Sequence, residues 1–95
     1  MNIGPTINAL NAARVRMNVS AHNVANMSTK DYKAREVVQT ASPDGPQVVV
    51  KETDRPTELV TEIVEQKMAS YDYKANLKVF KAQDEMLGHA IDMLA

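Results

Sequence analysis

Apolar side chains near the amino terminus recur at three- and four-residue intervals: Ile7, Leu10, Met17, Ala21 and Val24. That spacing lays them on one face of a helix. Gly4-Pro5-Thr6 provides a natural start, because proline is tolerated in a first helical turn. No further glycine or proline follows before Ser28-Thr29, so the pattern predicts a helix over residues 5–27. Arg14 interrupts the stripe, with Ala13 beside it to fill the gap.

The pattern then changes period. KAREVVQTA and QVVVKET are short β-branched runs on either side of Ser42-Pro43-Asp44-Gly45-Pro46, a strong turn sequence. They predict a β-hairpin excursion over residues 33–53. An isolated two-stranded hairpin is marginal in water, so this one is expected to lean on a helix or a neighbour.

A second, longer helix is predicted over residues 56–94. Pro56 suits its first turn, and the acidic residues there complement the positive end of the helix dipole. From Leu59 to Leu94 no proline occurs and Gly88 is the one weak point. One stripe runs Leu59, Ile63, Gln66, Ser70, Tyr73, Leu77, Phe80, Asp84, Leu87, Ile91, Leu94, alternating four and three. A second stripe beside it runs Val60, Val64, Met68, Tyr71, Ala75, Val79, Ala82, Met86, Ala90, Met93. Seven-residue spacing sustained this long implies coiled-coil-like packing, and two adjacent stripes imply more than one helical neighbour.

The fold expected is therefore mainly α. Two long antiparallel, coiled-coil-like helices are joined by a short β-hairpin within a single domain, residues 1–95, and assemble through inter-chain helix packing. At 1.5 Å per residue the helices are roughly 35 and 55 Å long, so the second overhangs the first by roughly 20 Å. The overhang contains Met86, Leu87, Ala90, Ile91, Met93 and Leu94, an apolar surface of the kind that marks an interaction site.

Composition narrows the function classes. The 95 residues include 11 basic and 12 acidic side chains, with no basic face of the sort that binds nucleic acid. Cysteine is absent, which removes disulfides, thiolate chemistry and sulfur-ligated zinc. No run is long and apolar enough to span a bilayer, and MNIGPTINAL lacks the pattern of a cleaved secretory signal. Before Lys30 only Arg14 and Arg16 are charged, so the first helix reads as one that is to be surrounded.

Candidate chemistry is thin. GxGxxG, P-loop, HExxH and GxSxG patterns are all missing. Asp84 and Glu85 are neighbours on a helix and diverge. His22 and His89 have no ligand spacing around them. Asn18-Val19-Ser20 and Asn26-Met27-Ser28 match the glycosylation pattern by chance in a helical setting. No enzyme, cofactor or metal is expected.

The polar segment NVSAHNVANMSTKDYKA, residues 18–34, carries the one distinctive motif. Its core is Asn23-Val24-Ala25-Asn26, followed by Ser28-Thr29 and Asp31-Tyr32-Lys33. The second helix adds Leu59-Val60-Thr61-Glu62-Ile63-Val64, then Ala69-Ser70-Tyr71-Asp72-Tyr73-Lys74-Ala75-Asn76, then Asp84-Glu85-Met86-Leu87. Together these resemble bacterial flagellar basal-body rod proteins, most closely the short proximal-rod (FlgC-type) members, in which Tyr-Lys-Ala-Arg-x-Val-Val also follows the first helix. Asp31 stands where that family has glycine, and the middle segment is shorter than in typical members.

The resemblance implies a structural subunit of the flagellar basal body, polymerising through its terminal helices to transmit torque. It implies export by the flagellar type III apparatus without signal cleavage, and partners among its own copies and other rod and hook-type subunits. The residues expected at the packing interface are Leu10, Met17, Asn23, Val24, Asn26, Tyr73, Asn76, Leu77, Phe80, Met86, Leu87, Ile91 and Leu94. The asparagines Asn23, Asn26 and Asn76 are expected to fix register, because a slipped pairing strands their donors and acceptors; the alternative is that Asn26 caps the helix end and Asn23 faces solvent. The alternative is a small soluble helical oligomer acting as an adaptor or export-related binding module, which forms a discrete dimer or tetramer and never elongates.

Overall fold

The computed structural model describes residues 2–94. Helix α1 spans Gly4–Ala25, strand β1 Arg35–Thr40, strand β2 Gln47–Glu52 and helix α2 Leu59–Leu94. Pro5 occupies the first turn of α1, where its missing N–H has no partner to lose. The helix stops two residues before the expected end: Asn26 makes the last i→i−4 bond, to the His22 carbonyl, but leaves helical geometry at φ −104°, and the Met27 N–H turns to the Val24 carbonyl instead. α2 begins at Leu59 rather than at Pro56, and Glu58 supplies the carbonyl that receives the Glu62 N–H at 3.0 Å.

The strands pair antiparallel in the register Arg35↔Glu52 through Thr40↔Gln47. The hairpin lies along α1 and reaches back to its amino terminus. There Asn8 Nδ2 donates to the Asp44 carbonyl at 2.7 Å. Gly45 adopts φ +98° directly over Pro5, and a Cβ at this position would meet the Pro5 carbonyl oxygen at 2.6 Å. At the other end Thr53 closes the hairpin, its backbone N–H and Oγ1 both donating to the Ala34 carbonyl.

α1 and α2 run antiparallel, since Ser20 meets Glu62 while Arg16 reaches Asp72. The seam between them differs from the apolar stripes of the sequence. Its fully enclosed apolar residues are Ala12, Ala13 and Ala69, joined by Thr6, Ser20, Asn23 and Glu62. Small side chains allow the helix backbones to approach closely, and polar ones fill the remaining contacts. Ile7 and Ala21 of the expected α1 stripe are exposed, and so are Leu59 and Ile63 of α2. The buried line on each helix is rotated away from the most apolar one.

The molecule is a rod of 62 × 21 × 15 Å. Beyond the amino-terminal end of α1, residues 84–94 of α2 project as about 16 Å of uncovered helix.

Candidate assembly site

The centre of the motif 18–34 is Asn23, whose side chain is almost completely enclosed. One Nδ2 hydrogen goes to the Arg35 carbonyl at 2.8 Å, the other to Glu62 Oε1 at 3.0 Å. Its Oδ1 accepts from the Arg35 backbone N–H at 2.9 Å and from the Tyr32 hydroxyl at 2.7 Å. A side-chain amide offers two donors and two acceptor positions, and all four are used. By bonding both the N–H and the C=O of Arg35, the amide acts as an extra strand neighbour for β1. The Asn23 backbone carbonyl accepts from Thr57 Oγ1 at 3.2 Å. One residue thus joins α1, the following turn, β1, the lead-in to α2 and α2 itself.

Asn26 plays a different part. Its Nδ2 donates to the His22 carbonyl at 3.0 Å, capping the last turn of α1, and its own carbonyl receives the Thr29 N–H. Tyr32 folds over His22, with ring centroids 5.9 Å apart and its hydroxyl 3.1 Å from Nδ1. This return is made possible by Asp31 at φ +61°, a left-handed conformation. Aspartate is among the few non-glycine residues that visit it readily, which explains how it stands where glycine is usual in the resemblance.

Seven residues before Asn23, Arg16 forms a second bridge. Its Nε contacts Glu65 and its Nη1 contacts Asp72, each at 2.7 Å, with the guanidinium side chain only 11% exposed. Burial works against the charge on Arg16. Hydrogen bonds and Coulomb attraction from the two carboxylates outweigh that penalty, and the guanidinium pKa is held above its ordinary value. Between the two bridges and the hairpin base lies an open cavity of about 280 Å³, bordered by Arg35, Arg55, Glu58 and Glu62. Its charges are spoken for in part by the Arg16 pairs and by Arg55–Glu36 at 3.3 Å. No cluster of three metal-ligating side chains exists among the described residues.

The thirteen expected interface residues separate into three groups. Asn23 is buried, and its side chain works wholly within one chain, with no donor or acceptor left for a neighbour. Leu10, Met17, Val24, Asn26, Tyr73, Asn76, Leu77 and Phe80 are half-buried along the helix pair. Asn76 is occupied locally, its Nδ2 donating to the Asp72 carbonyl at 2.8 Å. Met86, Leu87, Ile91 and Leu94 are exposed. At 100° per residue, Leu87, Ile91 and Leu94 continue the face of α2 that carries Ala69, beyond the point where α1 can cover it. Arg16, Ser20, Glu62 and Ala69 were missing from the expectation. Arginine and glutamate inside a seam give no apolar periodicity to read.

The arrangement is that of a rod-shaped, mainly helical protein with one helix end uncovered. Residues 6–33 match the family model described as flagella basal body rod protein, a span that covers α1 from its third residue and the turn through Tyr32 to Lys33 but less than half of the chain. The match supports a structural role in the flagellar basal-body rod. No curated protein matches the chain.

Proposed function

We propose that this chain is a structural subunit of the bacterial flagellar basal-body rod, polymerising through its two helices to transmit torque. The observation that carries this reading is the uncovered continuation of the α1–α2 seam. The face enclosed at Ala69 runs on into exposed Leu87, Ile91 and Leu94, so a helix from another subunit completes what α1 begins. The matched segment contributes the fixed end of the rod: Asn23, Asn26 and Tyr32 lock the exit of α1 and aim the hairpin along its side. Partners are other copies and other rod or hook-type subunits. Export is through the flagellar type III apparatus, and the destination is the basal body.

Deletion of the gene tests this directly. The deletion strain is expected to lose motility and to build an incomplete basal body, and in the undeleted strain the protein is expected in purified basal bodies. Normal flagella together with a strictly cytoplasmic protein would overturn the reading.

A further inference from the structure

The outward side of α2 carries the second apolar stripe, and its spacing is not heptad. Val60, Tyr71, Ala82 and Met93 are 11 residues apart, as are Val64, Ala75 and Met86, and Met68, Val79 and Ala90. An 11-residue repeat corresponds to about 3.67 residues per turn, so the stripe hardly drifts around the helix and favours a slight right-handed crossing. It lies roughly 120° from the face covered by α1. All ten positions are exposed, Val60 to 76% and Met86 to 61%.

Over residues 65–74 the flanks of this stripe carry opposite charge at the same levels. On one side stand Lys67, Lys74, Lys78 and Lys81, which have no ion-pair partner among the described residues, with Glu85 and Asp92 following on the same side toward the carboxyl end. On the other stand Glu65 and Asp72, each still more than a third exposed while bonded to Arg16. When two identical helices pack parallel, the left flank of each faces the right flank of the other, so Lys67 and Lys74 meet Glu65 and Asp72 on both sides. Antiparallel packing centred on the stripe brings Lys74, Lys78 and Lys81 of the two copies together instead.

Resting on the reading of the chain as a self-assembling subunit, we propose that this stripe is a contact between copies. Its occupant is the same stripe of a second copy's α2, packed in parallel and nearly straight. This contact is separate from the overhanging face at Leu87 and Ile91.

The natural chain has no cysteine, so single replacements report the geometry. Position 86 belongs to the central row of the stripe. In the full-length protein, Met86→Cys alone is expected to give a disulfide-linked dimer on mild oxidation. Mixing it with Val64→Cys is expected to add no 64–86 heterodimer. A cross-link that appears only in the mixture shows antiparallel packing and overturns the proposal. Association by light scattering without any cross-link assigns it to another face, and a chain that stays monomeric at the highest attainable concentration removes the contact altogether. Both results overturn the proposal, and the motility test decides the assembly reading separately.

Discussion

Asn23 spends its whole hydrogen-bonding capacity on four groups that no other side chain could serve together. Asn23→Ala strands the Arg35 peptide group and leaves Glu62 Oε1 without its amide donor. A loss of roughly 3 kcal/mol is expected in urea denaturation. Asn23→Asp should be worse, by about 3–5 kcal/mol in all, since it removes both donors and sets a second carboxylate against Glu62. Asp31 is the opposite case. Its left-handed backbone at φ +61° costs a side chain more than it costs glycine. Asp31→Gly should leave stability unchanged or raise it by up to about 1 kcal/mol, whereas Asp31→Val should lower it by about 1–2 kcal/mol. Equal melting temperatures for the two variants would remove the backbone argument. Asparagine and aspartate drew attention in the sequence because polar residues in a helix exit need a reason. A cap at Asn26 was one of the two readings open, but the enclosure of Asn23 could not be read, because that depends on where residues 35 and 62 arrive in space.

At the level of elements, proline and glycine made the order legible. Pro5, the Pro43–Pro46 turn and Pro56 separate two helical periods from one β-branched stretch, and the helix–hairpin–helix order follows. The face each helix would bury did not. Apolar periodicity picks out the residues with most to gain from leaving water, and here many of those face outward. The intrachain seam is built from alanine, serine and a paired arginine, where close backbone approach replaces large side chains. Ala69→Leu tests this, because its added volume has nowhere to go. A cost of about 1–3 kcal/mol is expected in thermal denaturation. The hairpin depends on another close contact, the one between Gly45 and Pro5. Gly45→Ala combines a positive φ with a 2.6 Å clash, so it should release the tip. Faster amide exchange over residues 37–50, with α2 unaffected, is the expected result.

For the whole molecule, the 62 Å rod exposes its longest apolar surfaces along the outside of α2 and at its uncovered end, besides single exposed residues such as Ile7 on α1 and Val49 and Val50 on the hairpin. The overhang was legible from helix lengths alone, because an antiparallel pair of unequal helices must leave one end bare. Leu87→Asp with Ile91→Asp should reduce the mass measured by light scattering while leaving the denaturation midpoint of the monomer unchanged, since neither residue packs inside the chain. Unchanged association would remove the end face from the assembly.

The bonds of Asn23 also bear on the order in which the chain acquires its shape. Three of the four link residues no more than 12 apart, and only the bond to Glu62 reaches across 39 positions. Short loops close early and at little entropic cost. The exit of α1, the Tyr32 turn and the start of β1 can therefore set one another before α2 arrives. Glu62 then finds an amide hydrogen already pointed at it, and α2 docks in one register onto a template encoded within 13 consecutive residues, 23–35.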